Sequence, residues 1–221
     1  MKNLSSLLYG NSIYYQGVFW LFFFILLITP IRNLYPQENS EWKEVRKQNG
    51  IVVFESDSSI KRIKKYRAEM IVNSTVWEGV NLIKNPDRYQ EWISGIDSAH
   101  LILKENDSVF YYHSYTSIPI LRNIDVAARV KVFQNQKQQK VYTRSEVIPD
   151  LEVHEKYRRL KVFRNSWVFE TMSYDKTKIS YSGIIDLYNS FIYFAIRNII
   201  INDVYDTMKN MRTRLQGKNE K

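Results

Sequence analysis

The sequence predicts an α+β fold in which a curved antiparallel β-sheet is wrapped around one long C-terminal α-helix. Short segments that alternate apolar with polar residues recur between residues 51 and 187, as half-buried antiparallel strands do. From Ser190 onward the apolar residues recur at intervals of three and four, which is typical of a helix. An amphipathic helix that lies across the concave face of such a sheet leaves room for an apolar cavity between the two layers.

The composition excludes several classes of protein. The chain has 221 residues, of which 44% are hydrophobic and 25% charged, so one domain with a real core can form. Its 7 glycines are too widely spaced for a phosphate-binding loop, and without cysteine it has no disulfide, thiol nucleophile or thiolate metal site. The formal net charge of +9 favours binding to polyanionic surfaces such as phospholipid headgroups or nucleic acid. Nucleic acid is the less favoured partner, because the sequence contains no nucleic-acid recognition motif.

An uncharged apolar segment lies near the N-terminus. Residues 13–31 contain no charged side chain, and their number lies between that of a signal-peptide core and that of a membrane-spanning helix. No small-residue cleavage site follows, so an uncleaved anchor and an unusual signal peptide both stay open. We expect residues 1–40 to form this hydrophobic helix and a linker outside the domain, residues 41–215 to fold, and residues 216–221 to be a polar tail. The protein would then be membrane-associated, or exported to the periplasm or the extracellular space.

Two local signals predict helices in the first half of the domain. Residues 41–48 are expected to form a short helix that ends at Asn49-Gly50, since Gly after a helix is a common stop. Thr75 and Glu78 have the spacing of a capping box, so a second helix begins there. Pro86 prevents this helix from continuing, and a further short helix is expected just after it, over residues 87–92.

The remaining segments have the alternation of strands until the terminal helix begins. The expected strands are residues 51–56, 65–72, 100–104, 109–116, 126–132, 141–147, 161–171 and 179–187. The terminal helix has an apolar seam with steps of three and four residues. The seam consists of Ile201, Val204, Met208, Met211 and Leu215.

Several short motifs, taken in order, resemble those of the StAR-related lipid-transfer (START) family, particularly its bacterial branch. They are Trp42 with Gly50-Ile51-Val52-Val53, Tyr66-Arg67-Ala68-Glu69, Tyr89-Gln90-Glu91-Trp92, Pro119 with Arg122-Asn123-Ile124-Asp125, Tyr157-Arg158-Arg159-Leu160 with Trp167, Lys178-Ile179-Ser180-Tyr181, and the run from Asp186 to Asn198. Three departures are visible: Ile124 stands where the family usually has arginine, Leu187-Tyr188-Asn189 replaces its Pro-Gly-Gly, and Ile192 replaces the proline at the entry of its terminal helix.

The resemblance covers roughly residues 42–215 and implies a helix-grip fold of the Bet v 1-like superfamily. Such a fold encloses one lipid or other hydrophobic molecule, usually without catalysis. The residues agree with a non-enzymatic protein, because the 3 histidines have no metal-binding spacing and no Gly-x-Ser-x-Gly nucleophile motif is present. We therefore expect no cofactor and no metal.

Candidate ligand contacts are aromatic or polar side chains at strand positions. Most aromatic residues in strands are ordinary core, and arginines in strands more often point outward; an inward Arg129 or Arg144 would orient a lipid headgroup. The alternation alone does not say which face of each strand is concave. The candidates are Tyr111, His113, Tyr115, Arg129, Arg144, Trp167, Phe169 and Tyr181.

The sequence thus predicts a monomer that binds a lipid or other hydrophobic molecule without catalysis, at or across a membrane of anionic surface, with transfer left open. Two alternatives stay open. One is an enzyme on the same fold that resembles polyketide cyclases and aromatases, in which a carboxylate or His113 of strongly perturbed pKa acts on a bound aromatic molecule. The other is a membrane-tethered interaction module whose core is filled, without a cavity.

Overall fold

The computed structural model describes residues 41–57, 63–117, 123–148, 157–160, 162–186 and 190–217. These residues belong to one compact unit. The predicted N-terminal hydrophobic helix and the polar tail beyond residue 217 lie outside the described residues, as does Pro119 of the family motif. None of the helices in the described part of the chain combines the length and the hydropathy that crossing a bilayer requires.

Within the described residues, one mainly antiparallel sheet and two α-helices make up the fold, which belongs to the α+β class that the sequence predicts. The strands are β1 (Trp42–Gln48), β2 (Ile51–Asp57), β3 (Ile63–Asn73), β4 (Ser98–Asn106), β5 (Val109–Thr116), β6 (Ile124–Asn135), β7 (Lys140–Val147), β8 (Arg158–Arg159), β9 (Phe163–Ser173) and β10 (Lys176–Asp186). The helices are α1 (Val76–Ile83) and α2 (Ser190–Gln216), with short 3₁₀ helices at Pro86–Glu91 and Gln136–Gln138. The strand order is β1-β2-β3-β10-β9-β7-β6-β5-β4, and β8 pairs with β6.

The helix predicted for residues 41–48 is wrong, because this segment is strand β1. Asn49 and Gly50 have φ values of 51° and 69°, and they join Gln48 directly to its partner Ile51 in β2. Two successive residues with positive φ form the tight turn of a β-hairpin, for which Asn-Gly is the strongest short signal. The same dipeptide also ends helices, and the mostly exposed segment before it carries no clear period that distinguishes the two.

Strand β8 is absent from the sequence prediction. It contains only Arg158 and Arg159, which pair in parallel with Ile124 and Asp125 at the start of β6. Strand β7 pairs with β6 only from Ala128 onward, so β8 occupies the place beside β6 that β7 leaves open. A segment this short carries no alternation, and only its long-range pairing makes it a strand.

Helix α1 begins where its capping box predicts. Glu78 N donates a 3.4 Å hydrogen bond to Thr75 Oγ1, and Thr75 N donates a 2.9 Å hydrogen bond to Glu78 Oε2, so two backbone donors that the helix cannot satisfy are paired. Val76, Val80 and Ile83 are buried on one side of the helix. This apolar side packs α1 against the sheet and adds to the core.

Helix α2 lies across the sheet, and its predicted seam is the side that contacts the core. All five seam residues are buried. Polar contacts with the β1–β2 hairpin fix the position of the helix: Arg46 Nη1 donates a 2.7 Å hydrogen bond to Asn202 Oδ1, and Arg212 Nη1 donates a 2.5 Å hydrogen bond to Asn49 O. The helix is therefore held to the edge of the sheet at which the domain begins.

Candidate functional site

A cavity of about 220 Å³ lies between α2 and the sheet. Strands β5, β6, β9 and β10 form its floor, α2 forms its roof, and the segment after the first 3₁₀ helix closes one side. The lining residues are Ile93, Ser94, Gly95, Ile96, Tyr112, Ser114, Thr116, Ser117, Val126, Phe163, Asn165, Trp167, Tyr181, Ile185, Ile199, Ile200, Asp203, Val204 and Thr207. Helix α2 thus packs on the sheet through its seam. The residues next to the seam, together with Val204 of the seam, face the cavity.

Aromatic and aliphatic side chains form most of the cavity wall. The rings of Trp167 and Tyr181 lie 4.8 Å apart between centroids, and both residues line the cavity with Tyr112. Burial raises the pKa of Tyr181 to about 12, and burial is also the main cause that raises the pKa of Tyr112. Both phenols therefore stay uncharged, so these walls offer a ligand apolar surface with hydroxyl tips.

The polar end of the cavity is built around Asp203 on α2. Ser94 Oγ donates a 2.8 Å hydrogen bond to Asp203 Oδ1, and Ser94 N donates a 3.0 Å hydrogen bond to Thr207 Oγ1 one helical turn further on. Gly95 follows with φ of 80°, and a Cβ atom at this residue would lie 3.1 Å from Asp203 Oδ2. The segment 93–96 is therefore held close against α2 by hydrogen bonds and by the small size of Gly95.

Burial raises the pKa of Asp203, and the negative charge of Asp206 raises this pKa further, while the hydrogen bond from Ser94 acts in the opposite direction. A carboxyl group in such surroundings gains a proton at higher pH than an exposed one. Asp203 is thus a carboxyl group of perturbed pKa in the wall of the cavity.

A second polar group in the wall has no partner. Asn165 lies on β9 opposite Ser145 of β7, and its Oδ1 atom is buried without a hydrogen bond to any protein group. A buried acceptor that lacks a donor destabilises the protein unless a ligand or a water supplies one. Asn165 lines the cavity, and a molecule bound there can supply that donor if the Asn165 side chain turns its Oδ1 toward the cavity.

The structure brings two of the eight predicted ligand contacts into the cavity wall. They are Trp167 and Tyr181. Phe169 lies on the same face of the sheet but is fully buried, and its ring packs against Gly79 of α1. Direct contact of these residues with a ligand stays a prediction.

The other five predicted residues lie on the opposite face of the sheet. In β5 the cavity face carries Tyr112 and Ser114, which stand opposite Ala128 and Val126 of β6. Their neighbours point the other way, since successive residues of a strand alternate between faces. The residues on the outer face are Tyr111, His113, Tyr115, Arg129 and Arg144.

Arg129 and Arg144 do not orient a headgroup inside the cavity. Arg129 stands opposite Tyr111 on the outer face, and its Nη2 lies 3.4 Å from Glu105 Oε2. Arg144 is exposed on the same face and stands directly opposite Lys131. Both arginines thus belong to the outer surface, in agreement with the tendency of arginines in strands to point outward.

His113 is buried on the outer face in a cluster of charged groups. His113 Nε2 lies 2.7 Å from Asp125 Oδ1, and Arg159 donates hydrogen bonds to both carboxylate oxygens of Asp125, at 2.8 Å from Nε and 3.0 Å from Nη2. Arg159 Nη1 also donates a 3.1 Å hydrogen bond to Ile148 O. This cluster holds β8 against β6, so His113 has a structural role here and lies outside the cavity lining.

Sequence reasoning missed several cavity residues, although one of them carried a usable signal. Four cavity residues follow one another on α2 at steps of three, one and three: Ile200, Asp203, Val204 and Thr207. This spacing places two polar and two apolar residues on the same flank of the helix. A carboxylate on a helix flank that adjoins an apolar seam is unusual and points to a cavity or a polar partner. The missed residues on the sheet are Tyr112, Ser114, Thr116, Val126, Phe163, Asn165 and Ile185.

Comparison with known proteins identifies solved structures that share this fold. No family model and no curated protein sequence matches this chain. A StAR-related lipid transfer protein from Xanthomonas axonopodis superposes with a TM-score of 0.70 at 17% identity, covering 79% of this chain and 98% of its own. Human StAR-related lipid transfer protein 5 has a TM-score of 0.70 at 17% identity, covering 95% of this chain and 99% of its own.

This chain has the START helix-grip fold. The expectation of an α+β helix-grip architecture is therefore confirmed. An aromatase/cyclase from a Streptomyces species shares the general fold, with a TM-score of 0.53 at 6% identity over 70% of this chain and 94% of its own. Identities this low establish the fold and leave the activity to be argued from the cavity.

Replacing Asp125 with Asn should destabilise the protein strongly. The substitution keeps the shape of the side chain but removes the buried carboxylate charge that accepts two hydrogen bonds from the Arg159 guanidinium, for which we expect a loss of about 3–5 kcal/mol in the free energy of unfolding. Equilibrium unfolding in urea measures this loss.

Glu146→Gln is the matched control, because Glu146 pairs with Arg164 at 3.3 Å on the exposed outer face. The control should cost about 1 kcal/mol or less. Equal losses for the two variants would contradict the structural role of the Asp125 cluster.

Proposed function

We propose that this protein binds one lipid or other hydrophobic molecule in the cavity beneath α2 and shields it from water without changing it chemically. The observation that supports the proposal is the cavity itself: an aromatic and aliphatic wall encloses space at the place where a filled core would have had side chains. An interaction module would be expected to have a filled core, because a cavity in the interior lowers the stability of a protein.

The size of the cavity favours a small ligand. A volume of about 220 Å³ exceeds that of an apolar cavity of about 150 Å³ that binds benzene. We expect one acyl chain or one compact ring system to enter, in preference to a lipid with two chains. Each methylene that leaves water contributes about 0.8 kcal/mol, so the apolar body of the ligand supplies most of the affinity.

Exchange of the ligand requires the cavity to open. Two hydrogen bonds from Ser94, to Asp203 and Thr207, hold the segment 93–96 to α2. The seam of the helix, in contrast, is held by five buried side chains. We infer that the segment moves away from α2 when a ligand enters or leaves. Lid movements of this kind govern access in many binding proteins.

Charge supports a membrane surface as the second partner. Lys131 and Arg144 are both exposed and stand directly opposite each other on the outer face of the sheet, where like charges repel. Anionic headgroups would relieve this repulsion and attract a chain of net charge +9. We propose that the protein works as a monomer at an anionic membrane, where the apolar N-terminal segment anchors it or directs its export, and that transfer of the ligand takes place there.

A second candidate function is an enzyme of the cyclase or aromatase type on the same fold. The observation that favours it is Asp203, a carboxyl group of raised pKa beside the Ser94 hydroxyl in the cavity wall. Such a group suits general acid or base chemistry on a bound aromatic molecule. The two functions differ in what is recovered after binding: a carrier returns the molecule unchanged, whereas an enzyme returns a product.

Filling the cavity should abolish binding. Ile200→Trp places a larger ring in the cavity from α2, and excluding as few as two methylenes of a ligand costs about 1.6 kcal/mol, which is more than tenfold in affinity. Fluorescence titration with a long-chain polyene alcohol measures the loss. Ile71→Trp, a change of the same size at a side chain that is 50% exposed, is the control and should bind as the unchanged protein does. Equal binding by Ile200→Trp would contradict the proposed site.

Removing an outer-face charge should weaken membrane binding. Arg144→Gln should lower the affinity for phosphatidylserine-containing vesicles about fivefold, because each basic residue near such a surface contributes about 1 kcal/mol. Arg144→Lys is the control, since it keeps the positive charge at the same position and should bind as the unchanged protein does. Sedimentation with vesicles at two salt concentrations measures the effect, and binding that depends on neither Arg144 nor salt would contradict this surface.

A further inference from the structure

We propose that the cavity selects a hydrophobic molecule whose polar end is uncharged or positively charged and donates a hydrogen bond, and that it rejects the same molecule with an anionic end. This inference rests on the proposed function and adds the chemical class of its ligand. It concerns two polar side chains of the cavity wall, Asp203 and Asn165.

The charge of the wall excludes an anion. Within the described lining, Asp203 is the one charged side chain, and Asp206 lies three residues further along the same helix. A negative headgroup that enters this space gives up its hydration and meets a like charge. A hydroxyl or an ammonium group instead meets a hydrogen-bond acceptor.

No Lys or Arg of the described residues belongs to the lining, and Lys64 is buried on β3 directly opposite the lining residue Ile185. Arg197 lies on α2 two turns before Asp203, and it donates hydrogen bonds from Nε and Nη2 to Glu55 Oε2 at 2.9 and 2.7 Å. Arg159 is held by Asp125 on the far side of the sheet. Neither arginine belongs to the described lining, and Arg129 and Arg144 lie on the outer face.

The wall offers acceptors that need a donor. Asn165 Oδ1 is buried without a hydrogen bond from the protein, and Asp203 accepts its hydrogen bond from Ser94 through Oδ1. A ligand hydroxyl or amine supplies the missing donor once the Asn165 side chain turns toward the cavity, whereas a carboxylate or phosphate supplies none. Sites built around buried polar groups discriminate strongly between ligands that pair with them and ligands that do not.

Two probes with the same chain and different ends test the inference. We would titrate the full chain with the fluorescent polyene cis-parinaric acid and with the corresponding alcohol, above the pH at which the acid ionises in water. The unchanged protein should bind the alcohol at least about tenfold more tightly. Asp203→Asn removes the repelling charge and keeps a side chain of the same size, so it should narrow this ratio by raising the affinity for the acid. Asp175→Asn removes the same charge from the exposed turn between β9 and β10 and should leave the ratio high.

Asn165→Leu provides an independent variant on another element. It removes the unpaired acceptor, and it should weaken binding of the alcohol about two- to tenfold, the worth of one hydrogen bond, while binding of the acid stays the same. Its result stands even if the Asp203 variant does not fold.

The outcomes separate this inference from the function on which it rests. Binding of the acid as tightly as the alcohol by the unchanged protein, or a ratio that neither Asp203→Asn nor Asn165→Leu alters, would overturn the selectivity and leave hydrophobic binding in place. Failure of both probes to bind would overturn both.

Discussion

The position of α2 across the sheet is the constraint on which the rest of the structure depends. The helix buries one apolar seam, and two arginines, Arg46 and Arg212, fix it to the β1–β2 hairpin. A curved sheet of ten strands is wider than one helix can cover, so the strands under the other flank of α2 remain unfilled. The cavity is therefore a consequence of how one helix and one large sheet meet, and the side chains on that flank determine what the space accepts.

The architecture was predictable because it follows from local patterns. The alternation in β3, β5 and β6, the capping box at Thr75 and Glu78, and the period of the terminal helix each depend on residues close in sequence. Where one local signal has two meanings, prediction fails. Asn49-Gly50 ends helices and also closes hairpins, and only the pairing of β1 with β2 decides between them. The family resemblance agrees with the fold that the solved structures display.

The site was less predictable because it depends on which face of each strand is concave. In β5 both faces carry aromatic residues, so Tyr111 and Tyr112 are equivalent in sequence and opposite in the structure. The register between β5 and β6 decides which of the two tyrosines faces the cavity, and register depends on pairing between residues far apart in sequence. His113 shows the same limit, because the Asp125 carboxylate that it contacts is held by Arg159, which lies 46 residues beyond His113 in a strand of two residues. Only α2 offered a local signal, through Asp203 and Thr207 beside its seam.

The most direct test of a hydrophobic carrier is the mass of the purified, intact protein under non-denaturing conditions, before and after extraction with organic solvent. The proposed function predicts an added mass equal to one small hydrophobic molecule per chain, which the solvent releases unchanged. A chain that shows only its own mass, even after incubation with an excess of mixed lipids and hydrophobic alcohols, would contradict the claim that the space beneath α2 holds a ligand.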